Sequence, residues 1–421
     1  MLRFVLVLLL LALPTLAKAE LRGHGGPVRA LAVSPDGRLA LSGSFDQSAI
    51  LWDLERGAAL QVLRFHEGAV NAVAALPDGR FATAGEDGRI AFWRLGRPEP
   101  ESTVAAHGGP IVGLSLSPDG GWLASASWDG TARLTPLTGG EARVLEGHQG
   151  QVNAVAFMSD GRVVTGGYDA TLRIWLAQGS PAVHQLPTPL NSVAVAPDGE
   201  IAAAGADGIV RILKGDGAIR AEVETGPRPV IALGLSPDNA RLAAATVGGS
   251  VAVIERASAK PLFSLVGPGL PVWSLAFRPD GAEILTGGSD RLVRRWSLRN
   301  GEHIGPVIMA RPTDFLAGFQ GERGAEVFQA CAACHTLTPD HGNRAGPTLH
   351  GIFGRRIATA PDYNFSPALK NLDIVWNAET IAKLFEVGPM QYTPGTKMPE
   401  QVITRAEDRE ALVRFLERAT R

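Results

Sequence analysis

The pattern on which most of this chain is built is present in residues 24–52, HGGPVRALAVSPDGRLALSGSFDQSAILW. Apolar residues alternate with small or polar ones on both sides of the turn Ser34-Pro35-Asp36-Gly37. This alternation is typical of short strands with one buried face, and proline, aspartate and glycine are the residues that tight turns favour. The stretch therefore predicts short antiparallel strands joined by turns.

A turn of this kind occurs seven times between residues 20 and 310. The spacings between successive turns are 42, 41, 41, 38, 40 and 42 residues, which is the period of a four-stranded propeller blade. Seven such units predict a closed all-β ring. The turns begin at Pro35, Pro77, Pro118, Ser159, Pro197, Pro237 and Pro279.

Histidine, aspartate and tryptophan recur at fixed positions in these units. Four units have a histidine eleven residues before the turn, and four have an aspartate six residues before a tryptophan. On these residues the units resemble WD40 repeats, which implies a buried network of tryptophan, serine or threonine, histidine and aspartate. Because the sets repeat at the blade period, we interpret them as structural and not as hydrolytic triads. Complete sets are His24, Ser42, Asp46, Trp52; His66, Thr83, Asp87, Trp93; and His148, Thr165, Asp169, Trp175.

The other blades depart from this pattern. Thr135 replaces the tryptophan in blade three, Leu213 replaces it in blade five, and blade six has Gly248 in place of the aspartate. We expect these blades to depend on apolar packing and to form the softer side of the ring. Either of two segments could form the outer strand of the last blade. Residues 20–23 are long enough for only a short strand, and residues 302–308 are the alternative.

Both cysteines of the chain lie in Cys331-Ala332-Ala333-Cys334-His335. Two cysteines three apart and followed by histidine form the c-type haem attachment pattern, in which the thiols bind the vinyl groups and the imidazole binds iron. A zinc site would need a second ligand pair, and a dithiol oxidoreductase would not need the histidine. The motif predicts one covalent haem c.

A second iron ligand is expected downstream. Met398 lies in the turn-rich segment Tyr392-Thr393-Pro394-Gly395-Thr396-Lys397-Met398-Pro399, away from the apolar periodicity of a core methionine. Met390 is the alternative, and we favour Met398 from this loop context.

Residues 321–421 resemble a class I cytochrome c of the mitochondrial and bacterial soluble type. The resemblance rests on Gly324 and Phe328 before the haem motif, the run Gly346-Pro347-Thr348-Leu349-His350-Gly351 after it, and the Met398 loop. It implies thioether bonds at Cys331 and Cys334, with His335 and Met398 as axial ligands. It also implies that Pro347 orients His335 and that Arg355 and Trp376 lie near the haem propionates. Phe365, Leu369 and Phe385 replace polar residues that are usual in the family.

The sequence thus predicts a multidomain protein, an all-β seven-bladed WD40-type propeller followed by a small all-α class I cytochrome c domain. We expect a signal peptide at 1–19, the propeller at 20–308, a linker at 309–320 and the cytochrome at 321–421. Arg3, an apolar run and Ala17-Lys18-Ala19 form the signal pattern, and the run is shorter than the ~20 residues of a membrane span. Helices are predicted at 322–330, 378–387 and 405–419, with a capping box at Thr404-Arg405-Ala406-Glu407.

These patterns predict a periplasmic monohaem cytochrome that carries single electrons, with the propeller as docking platform for a redox protein or oxidoreductase. The net charge of −2 gives no reason to expect nucleic acid, and we expect no stable membrane insertion after cleavage. Enzymatic activity stays open, although electron transfer is favoured over substrate conversion. The alternatives are an oxidoreductase with a second cofactor in the propeller and a haem-containing interaction scaffold or sensor.

Overall fold

A computed structural model describes residues 20–176, 178–267, 269–304, 316–332, 335–338, 346–361, 363, 365, 367–394, 396, 398, 402–403 and 405–421. The predicted signal peptide, most of the predicted linker, Cys334 and the capping residue Thr404 lie outside these residues. The described part contains a β-propeller and a helical unit, which confirms the predicted fold class.

Twenty-eight strands form seven four-stranded sheets within the described residues. The first fourteen are β1 Glu20–Arg22, β2 Val28–Val33, β3 Leu39–Ser44, β4 Ser48–Asp53, β5 Ala58–Arg64, β6 Val70–Ala75, β7 Arg80–Gly85, β8 Arg89–Arg94, β9 Ser102–Ala105, β10 Ile111–Leu116, β11 Trp122–Ser127, β12 Thr131–Pro136, β13 Arg143–Glu146 and β14 Val152–Phe157. The others are β15 Val163–Gly167, β16 Thr171–Trp175, β17 Ala182–Gln185, β18 Leu190–Val195, β19 Ile201–Gly205, β20 Ile209–Leu213, β21 Ile219–Glu224, β22 Val230–Leu235, β23 Arg241–Thr246, β24 Ser250–Glu255, β25 Lys260–Val266, β26 Val272–Phe277, β27 Glu283–Gly288 and β28 Leu292–Ser297.

Each blade is an antiparallel meander, and the blades form a closed ring. Blades one to six take the strands β2 to β25 in groups of four, and blade seven has the order β26-β27-β28-β1. The innermost strand of each blade contacts that of the next, and β26 returns to contact β2. An apolar cluster fills the space between each pair of blades; Leu41 of blade one and Trp93 of blade two, for example, belong to the same cluster. Each blade therefore depends on its two neighbours for burial.

The ring is closed by the beginning of the described chain. Strand β1 pairs with β28, with Leu21 opposite Val293 and Glu20 opposite Arg294. Leu21 is buried in the cluster between blades seven and one. The Glu20 carboxylate pairs with the buried Arg294 guanidinium. Of the two segments that competed for this position, Glu20–Arg22 forms the outer strand. In the other segment, residues 305–308 lie outside the described residues, and His303 forms a β-bridge with Trp296.

Arginine–carboxylate pairs stabilise two blades that lack the histidine. In blade five the Arg211 Nη2 atom lies 2.7 Å from Asp207 Oδ2, and in blade seven the Arg294 Nη2 atom lies 2.8 Å from Asp290 Oδ2. Both arginines are buried. The expectation that blade five depends more on apolar packing did not include its buried Arg211–Asp207 ion pair. Blade seven retains its aspartate and tryptophan and was not part of that expectation. The arginine side chain is longer than that of histidine, so Arg211 in β20 and Arg294 in β28 can each reach the turn aspartate of their own blade.

The helical unit contains five α-helices among the described residues. They are α1 Arg323–Ala332, α2 Pro367–Lys370, α3 Ala378–Val387, α4 Pro389–Tyr392 and α5 Ala406–Ala419, preceded by a 3-10 helix Ala317–Phe319. The bounds predicted for α3 are confirmed. Helix α1 continues two residues beyond its predicted end and so includes Cys331. Arg405 is the N-cap of α5 and makes no side-chain capping bond.

Helices α1 and α5 cross at a glycine. A β-carbon added to Gly324 would lie 2.2 Å from the Ala411 carbonyl oxygen, so only glycine permits this approach. The rings of Phe328 and Phe415 are 5.5 Å apart between centroids. Phe319, within the predicted linker, packs edge-on against Phe415 at 5.1 Å. The helical unit therefore begins to pack before residue 321.

Within the described residues, none of the helices combines the length and the apolar character needed to span a bilayer.

Candidate haem attachment site

The predicted attachment motif begins on the last turn of α1. Cys331 is buried there and belongs to the core of the helical unit. The backbone N–H of His335 donates to the Cys331 carbonyl oxygen at 2.9 Å, which continues the helical hydrogen-bond spacing to the histidine. This bond holds the described residues Cys331 and His335 in a fixed relation to each other. Cys334 lies outside the described residues.

The imidazole of His335 is oriented by a backbone carbonyl. Its Nδ1 atom lies 2.8 Å from the Pro347 oxygen, and this is the contact expected from the sequence. A carbonyl only accepts, so Nδ1 carries the hydrogen and Nε2 is left with the lone pair that a metal ligand needs. The Leu349 N–H donates to the Thr336 oxygen at 2.8 Å and holds the two segments together.

Gly346 lies directly against the His335 ring. A β-carbon at this position would lie 2.3 Å from Cε1 and 2.7 Å from Nδ1 of the imidazole, closer than real atoms approach. The missing side chain therefore leaves the space that the ring occupies. In the sequence, Gly346 stands out only as part of a motif. Its role depends on its contact with His335, eleven residues earlier, which no local pattern indicates.

Arg355 and Trp376 are brought together by backbone pairing. The Trp376 N–H donates to the Arg355 oxygen at 2.9 Å. The Arg355 guanidinium donates to the Thr348 and His350 oxygens at 2.8 and 3.0 Å and so fixes the segment that follows Pro347. Desolvation lowers the pKa of Arg355. Their predicted position near the haem propionates stays a prediction.

Met398 packs against the core that contains Cys331, Phe328 and Leu384. It is partly buried, and its backbone N–H donates to Thr396 Oγ1 at 3.2 Å. Met390 lies in the short helix α4, which the sequence reasoning did not predict. The ligand assignment to Met398 stays a prediction.

The described residues fit a haem c group. One cysteine thiol, an imidazole with its Nδ1 atom already bonded and a glycine that leaves space at the ring are the donors and the shape that such a group requires. His335 and Met398 would hold the iron, and Cys331 with Cys334 would hold the porphyrin. When bound, the group supplies one-electron oxidation and reduction.

The propeller networks have the predicted geometry. In blade one, His24 Nδ1 lies 3.0 Å from Asp46 Oδ2 and His24 Nε2 lies 2.7 Å from Ser42 Oγ. The Trp52 indole donates to the same Ser42 oxygen at 2.7 Å. Burial alone would raise the pKa of Asp46, but hydrogen bonds from His24 and Ser48 hold it well below its usual range. Blades two and four repeat the arrangement.

Blade three retains most of the network without its tryptophan. His107 Nδ1 lies 2.9 Å from Asp129 Oδ2, and His107 Nε2 lies 2.8 Å from Ser125 Oγ. Thr135 is at the tryptophan position. Sequence reasoning treated this blade as degenerate, although the histidine and aspartate were both present in its pattern.

The hydrogen-bond networks of histidine, serine or threonine, aspartate and tryptophan define the first part of the chain as a propeller. Cys331 at the end of helix α1 and the oriented His335 define the second part as a haem-attachment domain. The family model "WD domain, G-beta repeat" matches residues 17–53, 57–94, 98–135, 139–175, 181–213 and 259–297, and the model "Cytochrome c" matches residues 321–420. The chain therefore belongs to the WD40-repeat family and has a cytochrome c domain at its C-terminal end. The gap at 214–258 covers most of blade six, which the structure nevertheless forms.

Curated relatives match the C-terminal quarter of the chain. Cytochrome c of Gibberella zeae is 38% identical over 107 residues, which are 25% of this chain and 100% of the relative. Cytochromes c of Cochliobolus lunatus and Arabidopsis thaliana are 41% and 40% identical over 101 residues, 24% of this chain and 93% and 89% of theirs. The relatives imply a covalently bound haem c, and the two domains suggest electron transfer and protein interaction.

Gly346→Ala should displace the His335 ring, because the added methyl group overlaps it. We expect less covalent haem per chain and a loss of about 1–3 kcal/mol in the free energy of unfolding of the helical unit. Gly318→Ala is the control, since nothing lies within 4 Å of its added β-carbon. Haem content and denaturant unfolding measure both effects; wild-type values for Gly346→Ala would contradict the overlap.

Acidification should destabilise the propeller near pH 6. Desolvation lowers the pKa of His107 and His148 below 6.5, against the opposing pull of Asp129 and Asp169. Below pH 6.5 these histidines therefore bind protons more readily in the unfolded chain than in the folded one. Their effect on the free energy of unfolding is absent well above pH 6.5, and the free energy of unfolding decreases as the pH falls below that value. Urea unfolding at pH 7.5 and 5.5 measures this. Equal or greater stability at pH 5.5 would contradict it.

Proposed function

We propose that this protein is a periplasmic monohaem cytochrome that carries single electrons and uses its propeller to dock a redox partner. The observation that carries the proposal is the 2.8 Å contact between His335 Nδ1 and the Pro347 oxygen, which prepares Nε2 as an iron ligand beside a buried cysteine. The similarity of residues 321–420 to cytochrome c supports the same role.

Coordination by histidine and methionine favours electron transfer over substrate chemistry. His335 and Met398 would both hold the iron of a bound haem, which would leave substrate or oxygen no open position there, and the Met398 thioether would raise the reduction potential. Phe385 belongs to the core that contains Cys331, and Leu369 is buried, so neither of these positions offers a polar side chain that could adjust that potential.

Export to the periplasm is supported by the signal pattern of residues 1–19 and by the attachment motif, since bacterial haem c is attached outside the cytoplasmic membrane. The docking role is supported by the propeller itself. Its seven blades form a rigid ring whose loops offer a broad surface to a partner.

Met398→Ala tests whether Met398 is the second ligand of the haem iron. We expect loss of the weak far-red absorption band that marks a methionine–iron bond in this family, and a lower reduction potential. Met390→Ala is the matched control and should retain both properties. Retention in Met398→Ala with loss in Met390→Ala would transfer the ligand assignment to Met390.

Removal of the propeller tests the docking role. Residues 316–421 should be stable alone, because the Gibberella zeae relative is matched over its whole length by this part of the chain. We expect the fragment and the full chain to be reduced by ascorbate at the same rate. In the periplasmic fraction of the host, the fragment should be reduced more slowly. Equal rates in that fraction would refute docking by the propeller.

A further inference from the structure

The outer edge of blade seven is covered by two segments that are far apart in the sequence. Strand β1, at the beginning of the described chain, pairs with residues 292–294 of β28. Residues 302–304, here called the returning segment, follow β28 and fold back along the rest of that strand, where His303 forms a β-bridge with Trp296. The two segments therefore lie end to end along the same edge of β28.

Two backbone hydrogen bonds hold the returning segment on this edge. The Ser297 N–H donates to the Glu302 oxygen, and the Ile304 N–H donates to the Arg295 oxygen, both at 2.9 Å. Opposite residues in an antiparallel ladder alternate between bonded and non-bonded pairs, and Arg295 is at a bonded position. Ile304 therefore uses a backbone acceptor that the next residue of a longer β1 would also require.

Side-chain packing and a tight turn also fix the returning segment. The His303 ring meets the Trp296 ring edge-on, with 5.1 Å between centroids and 87° between planes. Gly301, in the turn, has a φ of 72°, and a β-carbon there would lie 2.8 Å from the Phe263 ring of blade six. Glycine is therefore required at this turn, and the returning segment is a packed part of the blade.

Residues that precede Glu20 would need the edge that the returning segment covers. Because Glu20 lies opposite Arg294, a longer β1 would set residues 18 and 19 opposite residues 295 and 296 of β28. Those two positions already pair with the returning segment. Neighbouring positions along a strand are only about 3.4 Å apart, so no further residue fits between the two segments. The edge can therefore hold one of them at this place, but not both.

We propose that the returning segment pairs with β28 only after the residues before Glu20 have been removed, so that processing at this position sets the path of the chain toward the cytochrome domain. Strand β1 itself stays in place in both forms, because Glu20 pairs with Arg294 and Leu21 is buried between two blades. A longer β1 continues along β28 without a turn and so takes the edge. The proposal rests on the proposed export for the cleavage, and it adds a structural response to that cleavage.

Release of the returning segment lengthens the connection between the propeller and the cytochrome domain. When the segment is paired, this connection is anchored at Ile304; when it is released, the last anchored residue is Ser297. The additional residues, at about 3.4 Å each, add up to roughly 24 Å to the reach of the connection. Removal of the residues before Glu20 therefore restricts the distance that the haem can move away from blade seven.

The test compares two full-length holoproteins, one that begins at Glu20 and one that retains Ala17-Lys18-Ala19 before it. A foreign signal peptide that is cleaved before Ala17 yields the longer form, and the intact mass verifies each N-terminus. Hydrogen–deuterium exchange then reports on the Ser297 and Ile304 N–H groups. We expect both to exchange about tenfold faster in the longer form, because their hydrogen bonds to the other segment or strand are lost. Equal exchange in the two forms overturns the proposal.

Two variants of the form that begins at Glu20 locate the contact. Ile304→Pro removes the N–H that donates to the Arg295 oxygen, so Ser297 should exchange as fast as in the longer form. Ile304→Ala keeps that N–H and is the matched control, in which Ser297 should stay protected. Unchanged exchange of strand β27 verifies that the blade remains folded. Slow exchange of Ser297 in Ile304→Pro, or fast exchange in Ile304→Ala, overturns the assignment of this bond.

The N-terminus of the protein isolated from its host separates this proposal from the proposed export. A periplasmic protein that begins at Glu20, together with faster exchange in the longer form, supports both. An uncleaved protein in the cytoplasm overturns the export, while the comparison of the two purified forms still decides whether the segments compete. If the periplasmic protein begins at Glu20 and the two forms exchange equally, export stands and the competition is wrong.

Discussion

Mutual burial between neighbouring blades is the constraint on which this propeller depends. Each apolar cluster is shared by two blades, as Leu41 and Trp93 illustrate, so a single blade has no core of its own. The constraint is satisfied everywhere only if the ring is closed, and closure requires β1 to pair with β28. The hydrogen bonds of 2.7 to 3.0 Å that connect Asp46, His24, Ser42 and Trp52 in series add directional contacts to this packing.

Much of this architecture could be predicted from the sequence because its signals are local and repeated. The turn spacing predicts the blade number, and the His24 and Asp46 positions predict the network that connects them. The Arg294 pairs with Glu20 and Asp290 could not be predicted in this way, since arginine in a strand has no preferred partner until the ring brings residues 20 and 294 together.

The same distinction applies to the haem site. The attachment motif and the Pro347 contact follow from a motif and a family resemblance, whereas the role of Gly346 becomes visible only when its backbone lies against the His335 ring. Helix α1 also includes Cys331, because the backbone bond from His335 to Cys331 extends the helical spacing past the end that the apolar pattern suggests. The Gly346–His335 contact and the end of helix α1 depend on tertiary packing, so a periodic sequence pattern does not predict them.

The seam between β1 and β28 has a consequence for the mechanics of the ring. Six blades are continuous hairpin meanders, but the seventh joins strands that are more than 260 residues apart in sequence. Deletion of residues 20–22 would remove the strand that closes blade seven, while the other six blades would keep all their strands. Under mechanical force, the ring should begin to open between β1 and β28. A circular permutant with new termini in the loop between β13 and β14 should instead open between blades three and four, on the opposite side of the ring.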